Sequence, residues 1–315
     1  MNTPKSITKK SNSNLKNSIL FSLLASTISS ANISVAATPI TKFELETGAE
    51  YDSNLSVIEL DKSSSEGDWS ALANARLNSQ WQATDKAKVK GGLSYSSKTY
   101  RDFSEFDLVI KQAFIDTSYD FQPLTLGASI HYADAELDGS DFLALQQRSI
   151  YISRLINQKI FLRAAINDQD KDFPGSSARN ADNHSVAGDA FFFFNQGKTF
   201  LTVGLSSETE NAAANEFDYD GTNIRTSLSH QFSLWNKKNR LQASWRYDQR
   251  DYSAVTPALE AKRNDERRIA TLEWQIETNN WLSVVGKVER GNYDSNLASA
   301  NYAETVSSLM LKASF

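Results

Sequence analysis

From Phe43 to the last residue, apolar and polar positions alternate with a period of two, and helical spacing is almost absent. Residues 240–247 read Arg-Leu-Gln-Ala-Ser-Trp-Arg-Tyr. In extended backbone Leu241, Ala243, Trp245 and Tyr247 share one face, and Gln242, Ser244 and Arg246 share the other. Residues 124–132 and 89–98 repeat the pattern. About fourteen such segments follow one another. They are centred near Thr47, Asn74, Leu93, Ala113, Ala128, Ile150, Ala164, Ala190, Val203, Leu228, Ser244, Leu272, Val285 and Leu309. The connections alternate in length. Short turns are expected at 84–86, 122–123, 157–158, 196–198, 236–238 and 279–280. Longer polar connections are expected at 56–67, 101–105, 136–141, 174–180, 211–216, 253–263 and 296–301.

Short and long connections in alternation predict an all-β fold: a transmembrane antiparallel up-and-down β-barrel of about 14 strands. Its short turns and both termini would face the periplasm, and its longer loops the outside. A soluble β-sandwich alternates too, but its core is shared between two sheets. Aromatic residues at segment ends favour the membrane: Tyr51, Trp69, Trp81, Tyr100, Tyr119, Phe121, Phe173, Trp235, Tyr252, Trp281 and Tyr293 are placed as interfacial girdles would be. The chain also ends on an alternating segment that closes with Phe315, as an insertion signal for the barrel-insertion machinery would.

Composition sharpens this picture at the N-terminus. Lys5, Lys9, Lys10 and Lys16 precede a short apolar run, Ile19 to Ala25, and then Val35-Ala36-Ala37. This is the layout of a cleaved signal peptide over 1–37. A lead over 38–42 and a barrel over 43–315 would remain, in the outer membrane of a Gram-negative cell. The chain has no cysteine, so no disulfide or thiolate metal site is expected. Its net charge of -5, which grows more negative without the leader lysines, speaks against nucleic-acid binding.

The word Tyr-Asp-Ser-Asn-Leu occurs twice, at 51–55 and 293–297. The copies end the first and thirteenth segments, so closure would set them on either side of the last strand. Tyr51, Asp52, Ser53 and Asn54, with Tyr293, Asp294, Ser295 and Asn296, are read as a rim device of capping and turn-forming residues. A cation or ligand site built from Asp52 and Asp294, or a partner-docking rim, is the alternative. These words, pieces such as Arg250-Asp251-Tyr252, the run 265–268 and the terminal Phe resemble the barrel part of the surface lipoprotein assembly modifiers and related exopolysaccharide-export barrels. The resemblance implies a fourteen-stranded barrel. It also implies an exported protein or polysaccharide as partner.

If the apolar faces meet lipid and lipopolysaccharide, the opposite faces line a lumen. Glu44, Glu46, Glu50, Glu273, Glu277 and Glu289 then make a largely acidic arc around the seam, interrupted by Lys287. Arg76, Lys88, Lys90, Arg225, Arg246 and Arg250 lie elsewhere on the wall. Either these charges pair across a narrow lumen and rigidify it, leaving little open pore, or they set a field across a water-filled pore. Loops 56–67 and 253–263 are the two that could fold inward. Only three histidines are present. His184, near Asp182 and Asp189, is the best catalytic candidate, but no recognised catalytic spacing surrounds it. No enzyme activity, metal or cofactor is expected. The expected function is a channel for polar or charged solutes or an exported substrate. The alternative is an assembly or translocation factor for a surface lipoprotein or secreted protein, without the usual tetratricopeptide domain. In detergent the protein should give β-rich circular dichroism and run faster on a gel unheated than boiled; identical mobilities and a helical spectrum would exclude the barrel.

Overall fold

A computed structural model of the protein describes residues 38–315, so the expected leader over 1–37 lies outside the described residues. Fourteen strands wind antiparallel into one closed barrel. They are β1 (Ile40–Asp52), β2 (Asp68–Gln82), β3 (Ala87–Tyr100), β4 (Leu108–Asp120), β5 (Thr125–Leu137), β6 (Ser140–Ile156) and β7 (Ile160–Asp172). The second half comprises β8 (Ala181–Phe194), β9 (Thr199–Ala212), β10 (Tyr219–Leu234), β11 (Lys237–Thr256), β12 (Ala261–Glu277), β13 (Leu282–Ser295) and β14 (Tyr302–Ser314). The first strand starts at Ile40, before the expected Phe43. Closure pairs β1 with β14, from Glu44 opposite Ser314 to Asp52 opposite Val306. The Phe43 and Phe315 backbones exchange two hydrogen bonds just beyond, at 3.1 and 2.9 Å.

The outward faces are apolar. Ile150 and Ile166 are 72% and 68% exposed although they sit mid-strand. Leu93, Val186, Leu205, Leu272 and Leu309 extend the same belt. In water such a surface would drive aggregation; in hydrocarbon it is the solvated face. Strands of this kind cross lipid in about 9–11 residues. The strands here run from 13 residues in β1 to 20 in β11, so most overshoot the belt.

One rim, the turn end, holds both described termini and the short connections. Trp81, Tyr119, Phe121, Trp235, Trp281 and Phe315 point outward there. Trp281 and Phe315 stack at 6.2 Å, and Phe43 stacks on Phe315 at 6.4 Å. The other rim is the loop end. Two connections expected to be long are hairpin turns instead. Leu137 pairs directly with Ser140, leaving Asp138 and Gly139, both at positive φ, as a two-residue turn. The β11–β12 ladder continues to Thr256 opposite Ala261, leaving only residues 257–260. Segment 253–263 therefore continues the wall and does not plug the lumen. The aspartate-glycine pair at 138–139 signals such a tight turn, because both residues accept φ > 0.

Four of the expected girdle aromatics are not lipid-facing. Tyr100, Phe173, Tyr252 and Tyr293 are buried at the loop end. The two copies of the repeated word also face opposite ways: Tyr51 is 38% exposed outside, whereas Tyr293 is 4% exposed inside. Parity is the reason. The inward residues of β1 are even-numbered, and those of β13 are odd-numbered, so one pentapeptide is inverted relative to the other.

Where β1 meets β14 the backbones approach so closely that a Cβ added at Gly48 would run into the Leu309 carbonyl oxygen. Nothing lies within 4 Å of a Cβ added at Gly286. Gly48→Val should therefore destabilise the closed barrel by about 1–3 kcal/mol. In a thermal melt followed by loss of the fast-migrating band, Gly48→Val should lower the midpoint and Gly286→Ala should leave it unchanged.

Candidate functional site: the lumen and its inturned loop

The β1–β2 connection, residues 53–67, turns into the mouth of the barrel and crosses it. Its tip is a small hairpin in which Ser56–Val57 pairs with Lys62–Ser63 around a 3-10 turn at Ile58–Leu60. Asp61 closes that turn in the left-handed conformation, φ 53, with its N–H bonded to the Ile58 carbonyl at 3.2 Å. A type of residue that tolerates positive φ is needed there, and aspartate is one. Leu55 N–H to the Glu66 carbonyl (3.0 Å) and Ser64 N–H to the Leu55 carbonyl (2.8 Å) hold the base of the loop.

The loop is amphipathic across the lumen. Leu55 and Val57 are buried in one apolar cluster with Phe106, Ile110, Ala133, Ala135, Phe142, Leu143, Leu145 and Phe173. That wall is made by β4, β5, β6 and the loops beside them. Glu59 and Asp61 reach the other side. Arg179, in the β7–β8 loop, donates to the Glu59 carbonyl oxygen at 2.8 Å and to Asp61 Oδ2 at 2.6 Å. Arg263, on β12, donates to Asp61 Oδ1 at 2.6 Å while also bonding Asp265 at 2.7 and 2.8 Å. In a ring of fourteen strands the β7–β8 junction lies opposite β1, so Arg179 fastens the tip on the far side of the barrel, while Arg263 holds it from β12, three strands from β1.

The two acidic groups of the tip are in opposite electrostatic states. Burial pushes the Glu59 carboxyl up, against the pull of Arg250, Arg267 and Lys171. Its Oε2 is buried with no hydrogen-bond partner among the described residues. Burial also works against ionising Asp61, but the hydrogen bonds and charges of Arg263 and Arg179 outweigh it and hold that carboxyl below its ordinary range.

The repeated words flank the seam and meet on it. Asn54 in the first copy donates to the Ala303 carbonyl on β14 at 3.4 Å, and the next residue but one, Ser56, donates to Glu304 Oε2 at 3.1 Å. Tyr293 in the second copy donates to Glu304 Oε1 at 2.7 Å. Glu304, on the strand between them, thus accepts from both sides. Asp52 points inward to Lys98 and Tyr100, at 3.3 and 3.1 Å. Asp294 points outward to Arg268 at 3.1 Å. Asp52 and Asp294 lie on opposite faces of the sheet and do not form a shared cation site. Ser53 ties the seam, its Oγ accepting from Thr305 N–H at 2.7 Å. Ser295 Oγ donates to Asp265, and Asn296 caps Asn264 N–H at 3.0 Å.

Below the loop the wall stays polar. Glu44, Glu46, Glu50, Arg76, Lys88, Lys90, Arg225, Arg246, Arg250, Glu273, Glu277, Lys287 and Glu289 all occupy inward positions. Most pair with a neighbour on the wall. Lys312 joins Glu44 and Glu46 at 3.0 and 3.1 Å, and Arg76 also meets Glu46 at 3.6 Å. Lys98 joins Glu50 at 2.8 Å. Arg225–Asp189 (2.6 Å), Arg246–Asp248 (2.9 Å), Arg240–Glu273 (3.2 Å) and Lys287–Glu289 (3.0 Å) continue the pattern. The acidic arc is therefore neutralised locally by cations no more than two strands away. It does not stand as one pole of a field across the lumen.

The histidines sit apart. His131 stacks on Phe114 at 5.4 Å inside. His184 is outside, and its partner is Asp168 on β7 at 2.9 Å; Asp189 faces inward, bonded to Arg225. His230 is also outside, bonded to Thr199 at 2.8 Å.

No family model matches the chain, and no curated protein sequence matches it. The structure is similar to the anion-selective porin from Comamonas acidovorans, with a TM-score of 0.50 at 10% identity over 88% of this chain and 99% of that one. It is similar to outer-membrane expressed OmpT of Vibrio cholerae, with a TM-score of 0.51 at 9% identity over 92% of this chain and 100% of that one. The fold is that of a porin-like outer-membrane β-barrel.

Arg179, Arg263, Leu55, Val57, Glu59 and Asp61 were not among the candidates from sequence. Two apolar residues at spacing two in a polar connection, Leu55 and Val57, are the signal that the loop has something to bury. The latch is testable because the chain has no cysteine. In Leu55→Cys, maleimide labelling should be slow compared with Ser65→Cys, whose site is exposed. Adding Asp61→Asn should accelerate labelling on the order of tenfold or more, the loss of one charged hydrogen-bond set. Adding Glu59→Gln should slow it, since the raised carboxyl favours the neutral form in the docked loop. The pH dependence has a fixed sign. As pH falls through the raised pKa of Glu59, docking tightens. Below about 3.8, where free aspartate protonates, the Asp61 contribution fades and labelling relative to the Ser65→Cys control should rise again.

Proposed function

We propose that the protein is a gated outer-membrane channel for charged or polar solutes, with its short turns and termini in the periplasm and its loop end outside. The observation that supports this reading is the loop of residues 53–67, which crosses the mouth above a wall that remains hydrophilic. Fourteen strands about 4.8 Å apart, tilted about 40°, enclose a backbone cylinder roughly 28 Å across. Side chains alone do not fill that width. Charges paired along the wall rather than across the lumen, such as Arg76–Glu46 and Lys287–Glu289, keep it wetted for hydrated solutes. The latch sits inside the mouth and not on the rim, which favours passage over partner docking.

In planar bilayers the full protein should give small, intermittently interrupted currents. Replacing residues 56–66 by a short Gly-Ser link should raise unit conductance several-fold and make it steady. A silent deletion variant that still migrates as a folded barrel would refute the channel. Lys88 and Lys90, at adjacent inward positions near the turn end, should then weigh heavily in selectivity. Lys88→Glu with Lys90→Glu should move the reversal potential in a salt gradient toward cation preference.

A further inference from the structure

We propose that the groove filled by Glu59 and Asp61 is a binding site for a small di- or tricarboxylate, and that the loop tip is its built-in stand-in. The inference rests on the channel reading and adds the chemical class of a solute. Four guanidiniums line the groove, and three of them lie over an aromatic ring: Arg179 over Phe217 at 4.0 Å, Arg250 over Tyr219 at 4.6 Å, and Arg263 over Tyr252 at 4.7 Å. Stacking of this kind fixes the plane of a guanidinium and points its N–H edge at the lumen. Asp61 is held as a ligand carboxylate would be, each oxygen taken by a different arginine at 2.6 Å.

A loop that only had to stay in place has its apolar contacts on the β4–β6 wall for that purpose. Burying carboxylates as well costs desolvation, and the cost is poorly recovered at Glu59. Its Oε2 feels the charges of Arg250, Arg267 and Lys171 but has no hydrogen-bond partner among the described residues. The cradle is thus matched to one of the two acidic groups and leaves room for a better second one. Once the loop moves away, Arg179, Arg250, Arg263, Arg267 and Lys171 outnumber the acids left on this side, Asp265, Glu208 and Glu210. A polycarboxylate entering the mouth would meet this excess and compete with the loop for it, so solute binding and opening are the same event.

The test is calorimetric titration of citrate into detergent-solubilised protein, with acetate and inorganic phosphate as comparators. The variant lacking residues 56–66 should bind citrate on the order of tenfold more tightly than the full chain, and more tightly than either comparator. In that background Arg263→Gln or Arg267→Gln should weaken citrate on the order of tenfold, with Arg263→Lys intermediate. If the deletion disturbs folding, Asp61→Asn in the intact loop, which removes the carboxylate held by Arg179 and Arg263, serves the same measurement. A variant that conducts but does not bind citrate overturns this proposal and leaves the channel standing. So does binding that ignores Arg263→Gln and Arg267→Gln, or that phosphate matches. Citrate binding by a variant that does not conduct would keep the site and refute the channel.

Discussion

A sheet crossing hydrocarbon has no solvent for an unpaired edge, and the pairing of β1 with β14 is the constraint on which everything else depends. Closing at fourteen strands sets a width that side chains cannot bridge. The lumen must then hold water or chain. The β1–β2 loop supplies chain at one level only, at the loop end, and the wall beneath is written for water. The seam strand does double work in this scheme. It completes the ladder, and through Glu304 it joins the base of the loop to Tyr293 on the next strand.

Two kinds of contact hold the loop, and they have different consequences. Leu55 and Val57 contribute non-directional burial, which suits adhesion but not registration. Asp61 contributes direction, since each of its oxygens must meet one guanidinium. Breaking the polar set leaves buried charge behind, whereas the apolar set can slide. A loop fastened this way can be stable when docked and still release as a unit when the charges find another partner. Along the wall below, pairs such as Arg76–Glu46 and Arg240–Glu273 link neighbouring strands and lay long side chains flat. They shape the pore more than they stabilise the fold, because pairs open to solvent contribute little.

Much of the fold was legible from alternation alone. Strand number, antiparallel order and the lipid-facing side follow from a period of two that holds through most of every strand, since a one-residue slip would expose every polar side chain to lipid. Parity within each strand could have shown more. Tyr100 shares parity with Lys98, and Tyr293 with Lys287 and Glu289, so both were bound to face inward once those charges did. Strand-end position was the misleading cue, because the strands overshoot the membrane. The identity of Leu55 and Val57 hinted at burial. Nothing local pointed to Arg179 or Arg263 as the residues that would receive Asp61.

The sequence by itself determined a closed barrel with an apolar outside and a polar inside, because alternation is a property of each strand taken alone. Only the tertiary structure decided that the loop at 53–67 turns inward, that segment 253–263 continues the wall, and that the acidic arc is neutralised. Those outcomes depend on how strands stagger around the closed ring, which sets which side chains face one another across a neighbour or across the lumen. Asp61 and Arg263 are 202 residues apart in the chain and 2.6 Å apart in the mouth. That distance is fixed by closure, and no stretch of the sequence contains it.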